Sequence, residues 1–221
     1  GKRVLLRLDI NSPLDPETKK ITNDNRLRKS LPTLTYLQEQ GAKTAIIAHQ
    51  GDTLDYHNLY PLEEHAAILS NLLDQEVTYL DDVCGPAAQE AVRKMKDGQF
   101  VLLGNLRYLS EEVSTFETAV KLTAKEMTET YLVRQLAPLF DIYVNDAFSA
   151  AHRNCPSMVA FQELLPSVAG FLLQNEVDNL DMLMENPNRP NVFILGGLKI
   201  SDAFGMMETV LANGSADKII T

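Results

Sequence analysis

The chain has 221 residues with 30 acidic and 20 basic side chains, a formal net charge of −10. An acidic surface repels nucleic acid and anionic lipid, so neither is expected as a partner, although a local basic pocket is allowed. No apolar run reaches the length of a membrane span, and no basic-then-apolar leader opens the chain. The two cysteines, Cys84 and Cys155, form no metal-type pair and are expected to be small buried hydrophobes. These features favour a soluble, cytoplasmic protein, and we expect no metal site within this chain.

Short apolar runs alternate with longer segments of helical period, which is typical of parallel βαβ units. The apolar runs are rich in Val, Ile and Leu without polar alternation, as expected where helices cover both faces of a sheet. The predicted strands are 3–8, 44–48, 77–80, 100–103, 141–144 and 192–195, with a further strand through Ile219 and Ile220. We therefore expect a Rossmann-like, three-layer parallel sheet.

Apolar side chains at helical spacing predict the helices between these strands. One stripe ends at Gly41 and contains Pro32, which must lie in the first turns of the helix or bend it. Each stripe is expected to face the core. The stripes are Leu27, Leu31, Leu34 and Leu37; Leu62, Ala66, Leu69 and Leu73; and Phe116, Val120, Ala124, Met127 and Tyr131.

A change in composition after residue 165 predicts a domain boundary. Leu173, Val177, Leu180 and Met184 mark a long helix over 168–185, closed by the Asn- and Pro-rich segment 186–190. We expect residues 1–165 to form one α/β domain, 166–189 to connect, and 190–221 to begin a second α/β domain. The chain enters a strand within three residues and ends in another, so we expect it to be a piece of a longer protein.

Polar side chains follow most strands of the predicted first domain directly. Ligands of open parallel sheets bind outside the carboxyl ends of the strands, and arginine forks bind phosphate or carboxylate oxygens in pairs. Each residue alone could be an ion-pair partner, a cap or a turn residue, but their recurrence at four of five strand ends favours a small-anion pocket. His57 and His65 are assigned no functional role. The candidates are Asp9, Asn11, Arg26, His49, Arg107, His152 and Arg153.

A second candidate site follows the strand at 192–195. Gly196 and Gly197 would allow close approach of a phosphate at a helix start, and Lys199 would supply the counter-charge. The order GxxxxGK[ST] is absent, so the segment is not a Walker sequence and is weak evidence by itself.

Six stretches together resemble the phosphoglycerate kinase family over essentially the whole chain, in order and in spacing. They are RLDINSPLD at 7–15, ITNDNRLR at 21–28, AHQG at 48–51, LLGNLRY at 102–108, YVNDAFSAAHR at 143–153 and FILGGLKISD at 193–202. The DINSP wording and the insert YLVRQLA at 131–137 are similar to the archaeal branch. The resemblance implies a two-domain kinase of glycolysis and gluconeogenesis that moves a phosphoryl group reversibly between 1,3-bisphosphoglycerate and ADP, giving 3-phosphoglycerate and ATP. It also implies that the extreme N-terminus and most of the nucleotide-binding domain lie outside this chain.

The resemblance also implies roles for single residues. Asp9 and Asn11 would hold the hydroxyl and carboxylate end of the glycerate, and Arg26 would stabilise charge on the transferring phosphoryl group. The rest of the substrate would be gripped by His49, Arg107 and Arg153, with His152 beside them. Lys199 would act in catalysis with Arg26 and would line the nucleotide phosphates with Gly196 and Gly197. Mg²⁺ would enter with ATP or ADP on ligands beyond residue 221, so this monomeric piece would be inactive alone.

Three positions depart from the family pattern. Asp52 stands where the family usually has a basic residue that helps to bind the substrate phosphate, Ala203 where most bacterial and eukaryotic members have a second lysine, and Gly104 where an acidic or amide residue is common. An acid at 52 would repel a phosphate. It keeps two alternatives open: a non-catalytic homologue that binds a small carboxylate or phosphate, and a kinase for another small carboxylic acid.

Overall fold

The computed structural model describes residues 1–51, 59–185, 187–195 and 200–221, with the backbone alone for 200–204. The described residues form two compact units, Gly1–Leu173 and Gln174–Thr221. The strands are β1 Arg3–Leu8, β2 Lys43–Ile47, β3 Val77–Tyr79, β4 Phe100–Leu102, β5 Ile142–Asp146, β6 Ser167–Ala169, β7 Val192–Ile194 and β8 Lys218–Ile220. The α-helices are α1 Asn25–Lys29, α2 Leu31–Glu39, α3 Glu63–Leu73, α4 Pro86–Lys94, α5 Ser114–Ala119, α6 Ala124–Met127, α7 Tyr131–Leu136, α8 Pro156–Val159, α9 Phe171–Glu185 and α10 Ile200–Ala212.

The first unit contains a six-stranded parallel sheet in the order β3-β4-β2-β1-β5-β6. β1 lies at its centre, where Val4 pairs with Thr44 of β2 and with Ile142 of β5. The predicted α/β class is confirmed, and the seven predicted strands are present with their ends shifted by at most two residues. Parallel pairing brings the carboxyl ends of all six strands to one edge.

β6 was not predicted. It is three residues long, exposed throughout, and pairs only with β5, so it has no apolar run for the sequence pattern to detect. Its residues fall in the segment that was assigned to the connecting helix. That helix, α9, begins at Phe171 and not at the predicted residue 168.

The core forms two layers because successive residues of each central strand point to opposite faces of the sheet. In β1, Leu5 belongs to a cluster that contains residues of α4 and α7, whereas Leu6 belongs to one that contains residues of α2 and α3. Both leucines are fully buried. Helices therefore cover both faces, as the unbroken apolar runs predicted.

We expect Leu6→Ala to lower the free energy of unfolding by about 2–5 kcal/mol, since it removes buried methyl groups from the central strand and leaves a cavity. Urea denaturation measures this change. Leu164→Ala is the matched control, because that leucine is 53% exposed. Equal losses in the two variants would contradict the burial of Leu6.

The first predicted helix stripe is divided between α1 and α2. The break lies at Ser30, and Pro32 occupies the first turn of α2, one of the two positions predicted for it. Leu27, Leu34 and Leu37 are buried, as expected of a core-facing stripe.

The prediction of a single core-facing helix through Phe116 and Tyr131 is wrong. Lys121 adopts a left-handed backbone (φ 53°), and Thr123 begins α6 with a capping box that it shares with Glu126. Val120 is 46% exposed and Tyr131 51% exposed. Local capping chemistry outweighs the helical spacing of the apolar residues here, and of this stripe only Met127 is fully buried.

In the second unit, β7 and β8 form a parallel pair in which Val192 lies opposite Lys218, with α10 between them in the chain. The β-α-β arrangement predicted for this part of the chain is therefore present. Arg189 donates to the Gly214 carbonyl oxygen at 2.7 Å and pairs with Asp217 at 2.9 Å, which fixes the entry to β7.

Cys84 and Cys155 are both buried with free thiols, and burial raises the pKa of each to about 12. The prediction that they are buried hydrophobes is confirmed. Within the described ranges, no helix has both the length and the apolar character that crossing a membrane requires.

Candidate anion-binding site

The seven residues predicted to bind the acid substrate line one pocket of about 450 Å³ at the carboxyl edge of the sheet. Each lies in or after a particular strand, turn or helix of the fold. Asp9 and Asn11 follow β1, His49 follows β2, and Arg107 lies in a 3₁₀ turn after β4. His152 and Arg153 come from the loop after β5, and Arg26 comes from α1. Parallel pairing of the strands is what brings residues so distant in sequence together.

Arg26 and Asp9 form an ion pair at the mouth of the pocket. Arg26 Nη1 donates to Asp9 Oδ2 at 2.8 Å, with the arginine side chain 44% exposed and the aspartate 5%. Asn11 donates from its backbone to Asp9 Oδ1 at 3.2 Å, and its own Oδ1 accepts from the Gly51 amide at 3.0 Å. Asp9 and Asn11 therefore shape the loop after β1 and also line the pocket. The sequence left open whether they are turn residues or pocket residues, and their positions are compatible with both interpretations.

Two hydrogen bonds hold one edge of the Arg153 guanidinium. Its Nε donates to Glu117 Oε1 at 2.7 Å and its Nη2 to Ser114 Oγ at 2.8 Å, both on α5. Across the described part of the chain, its Nη1 has no hydrogen-bond partner. One edge of this arginine thus remains open to an anion.

Arg107 is buried at the back of the pocket. Its backbone amide donates to Asn105 Oδ1 at 3.0 Å, and its Nη1 donates to the backbone carbonyl of Glu112. Its Nε is buried without a partner among the described residues. Burial and the nearby charge of Arg153 lower the pKa of Arg107, so an anion in the pocket would stabilise its charge.

Asn105 supports the part of the pocket that contains Arg107. It is fully buried, and its Nδ2 donates to the carbonyl oxygens of Gln50 and Tyr60, each at 2.9 Å. The neighbouring Gly104 packs against the backbone of Asp82 and Val83, where a Cβ would approach atoms at 3.1 Å. A side chain at position 104 would therefore require this backbone to shift by a few tenths of an ångström.

Two charged residues that the strand-end pattern did not predict also line the pocket, Arg7 and Glu112. Glu112 is 1% exposed, and its two carboxylate oxygens accept from the amide and the hydroxyl of Ser157 at 2.7 and 2.6 Å. Burial raises the pKa of Glu112, while the Ser157 hydrogen bonds and the charge of Arg7 oppose the rise. An arginine enclosed between two leucines of β1 was a usable signal for Arg7, whereas Glu112 has no signal in its local sequence.

Several predicted positions lie outside the described residues. They are Asp52 and His57, within 52–58, and the proposed nucleotide residues Gly196, Gly197 and Lys199, within 196–199. His65, which was assigned no functional role, is 2% exposed, and its Nε2 lies 3.0 Å from Gln50 Oε1. Gln50 Oε1 also accepts from the Ser12 amide at 2.8 Å, so His65 is a buried neutral donor.

We expect His65 to make folding sensitive to acid. Burial lowers its pKa to about 4 in the folded chain, against about 6.5 unfolded. The unfolded state therefore binds more protons between these values, and stability is complete above pH 6.5 and is lost as the pH falls toward 4. Urea denaturation at pH 7.5 and 4.5 measures the loss, expected to be on the order of 2–3 kcal/mol from this residue.

His65→Gln is the control for this pH dependence. Its stability should fall less between the two pH values than that of the original chain. An identical pH dependence in both proteins would contradict a neutral, buried His65.

Four arginines line a pocket at the carboxyl edge of this parallel sheet. This arrangement is typical of α/β proteins that bind small anions. The family model described as phosphoglycerate kinase matches residues 1–221. The chain therefore belongs to the phosphoglycerate kinase family.

Curated relatives named phosphoglycerate kinase match the chain over its whole length. It is 47% identical over 221 residues to the phosphoglycerate kinase of Methanothermus fervidus and 45% identical over 222 residues to that of Thermococcus kodakarensis. In each case the match covers 100% of this chain and 52% of the relative, so the chain spans about half the length of these proteins.

Solved structures agree with the fold. The crystal structure of phosphoglycerate kinase from Pyrococcus horikoshii matches with a TM-score of 0.90 at 39% identity, covering 99% of this chain and 52% of the other. The phosphoglycerate kinase of Coxiella burnetii matches with a TM-score of 0.76 at 30% identity, covering 99% and 51%. The resemblance drawn from the six sequence stretches is thus confirmed at the level of the family.

Proposed function

We propose that the protein carrying this chain is a phosphoglycerate kinase, which transfers a phosphoryl group reversibly between 1,3-bisphosphoglycerate and ADP. Family membership over residues 1–221 supports the reaction. The cationic pocket of the first unit supports the part of it that concerns the acid substrate. In this proposal the pocket binds 3-phosphoglycerate or its bisphosphate.

The observation that carries the proposal is that two arginines of the pocket, Arg26 and Arg153, keep donors free. Arg26 uses only Nη1, and Arg153 uses only Nε and Nη2, within the part of the chain that the structure describes. A phosphate and a carboxylate on one small molecule are the groups that such forks bind in pairs. The pocket volume of about 450 Å³ is ample for a three-carbon acid.

Catalysis of this reaction depends on substrate positioning and charge neutralisation more than on proton transfer. A carboxylate attacks a phosphoryl group without losing a proton, so no general base is required. Arg26, the most exposed of the pocket arginines, is proposed to stabilise the transferring group, together with Lys199. Asp9 and Asn11 would orient the hydroxyl and carboxylate end of the acid, and the remaining predicted residues, His49, Arg107, His152 and Arg153, would bind its distal phosphate.

The nucleotide half of the reaction rests on the family alone. Over the described ranges, no group of three or more His, Cys, Asp or Glu side chains could hold a metal ion. We propose that Gly196, Gly197 and Lys199 contribute to binding the phosphates of ATP or ADP, and that Mg²⁺ enters with the nucleotide on ligands outside this chain. Residues 1–165 would bind the acid, 166–189 would connect the domains, and 190–221 would begin the nucleotide domain of a monomeric cytoplasmic enzyme.

Formation of an acyl phosphate by the full-length protein tests this proposal. With 3-phosphoglycerate, ATP and Mg²⁺, hydroxylamine should trap an acyl phosphate at a rate that saturates with the acid. Glycerate, which lacks the phosphate, should give at most a small fraction of that rate. Equal turnover of glycerate, or turnover of another carboxylic acid alone, would contradict the assigned substrate.

A further inference from the structure

Arg7 differs from the other arginines of the pocket because each of its three nitrogens already has a protein partner. Nε donates to Ser157 Oγ at 3.2 Å, Nη1 donates to the Leu8 carbonyl oxygen, and Nη2 lies 3.0 Å from His49 Nδ1. The residue is 2% exposed. Arg7 is therefore placed to organise its neighbours, in contrast to the free edges of Arg26 and Arg153.

The contact with His49 determines the state of the imidazole. A guanidinium has donors and no acceptor, so His49 Nδ1 must accept this hydrogen bond and cannot carry a proton. A neutral imidazole then carries its proton on Nε2. We propose that Arg7 is a positioning residue that fixes His49 as the Nε2–H tautomer, so that the pocket always receives a hydrogen-bond donor from it.

The surroundings of His49 disfavour its protonation. The side chain is 7% exposed, and burial together with four arginine charges lowers the pKa of His49 well below its ordinary range. The four arginines lie on β1, on α1, in the turn after β4 and in the loop after β5. In that order they are Arg7, Arg26, Arg107 and Arg153. A second proton on Nδ1 would also break the hydrogen bond from Arg7.

Nε2 is left available for a ligand. His49 lines the pocket, and its Nε2 has no partner among the described residues, yet it is not enclosed as a buried unpaired atom. In the other tautomer this nitrogen would present a lone pair, which repels an anionic oxygen. The fixed tautomer therefore supplies a neutral donor beside the charged arginine forks, and this consequence rests on the proposed function of the pocket.

Nitrogen NMR of the uniformly ¹⁵N-labelled chain tests the tautomer without any ligand, with the His49 signals assigned from the His49→Gln variant. We expect Nδ1 to be unprotonated and Nε2 to carry the proton, unchanged from pH 8 to pH 5.5. A protonated Nδ1, or a titration midpoint near 6.5, would overturn the proposal. Because no substrate is present, this result is independent of whether the pocket binds 3-phosphoglycerate.

Arg7→Met isolates the role of the arginine. His49 is expected to populate both tautomers and to titrate closer to its ordinary pKa, and binding of inorganic phosphate at pH 8 should weaken about tenfold. The signals of His65, whose hydrogen bond to Gln50 does not involve Arg7, report whether the fold is intact. An intact fold with His49 still wholly in the Nε2–H form would contradict the role given to Arg7.

Discussion

Arg26→Ala in the full-length protein is expected to lower kcat by about 10²–10³-fold, the loss typical of removing one group that stabilises developing charge. Arg26 is 44% exposed and, among the residues that the structure describes, makes a single ion pair, with Asp9. Most of its guanidinium donors are therefore available to the transferring phosphoryl group that we propose it stabilises. Initial rates at saturating substrates measure the effect.

Arg28→Ala is the matched control for this substitution. Arg28 lies on the same helix, is 58% exposed, and pairs at 2.9 Å with Asp24, outside the pocket. Its removal should leave kcat within about twofold, because an exposed pair contributes little. Equal losses of kcat in the two variants would show that the helix, and not the Arg26 side chain, matters for turnover.

Glu112→Ala is expected to lower the free energy of unfolding by about 3–5 kcal/mol, the cost of leaving buried charges uncompensated. The substitution removes the acceptor of both the amide and the hydroxyl of Ser157. It also removes a negative charge that interacts favourably with Arg7 and Arg107, both of which are buried. Urea denaturation at pH 7.5 measures the change.

Glu112→Gln separates the charge from the hydrogen bonds. Its amide oxygen can still accept from the Ser157 amide, so it should be destabilised less than the alanine variant. Glu129→Ala, at an exposed position, should lie within about 0.5 kcal/mol of the original chain. A loss below about 1 kcal/mol in Glu112→Ala would contradict a compensating role for the buried carboxylate.

The sheet and most of the pocket could be predicted because both depend on regular features. Unbroken apolar runs such as β1 and β2 identify strands covered on both faces, and parallel pairing then puts the residues after them at one edge. That reasoning predicts Asp9, Arg107 and Arg153 at the same edge of the sheet, and all three line the pocket. It depends on short-range pattern and on a general rule of parallel sheets.

The rest of the site depends on contacts between residues distant in sequence. Glu112 and Ser157 are in contact although 45 residues separate them, and this separation leaves no local signal. β6 is too short and exposed for an apolar pattern, and the capping box at Thr123 divides a stripe whose spacing favoured one helix. Tertiary pairing and capping decided these cases, where hydrophobic periodicity alone was misleading.

Calorimetric titration of this chain with 3-phosphoglycerate at low salt tests most directly the claim that the pocket binds the acid substrate. We expect heat from one site, largely lost in Arg153→Ala, whose free guanidinium edge faces no protein partner in the described part of the chain, and retained in Arg28→Ala. Absence of heat with a folded chain, or equal heat from all three proteins, would contradict the assignment of this pocket to 3-phosphoglycerate.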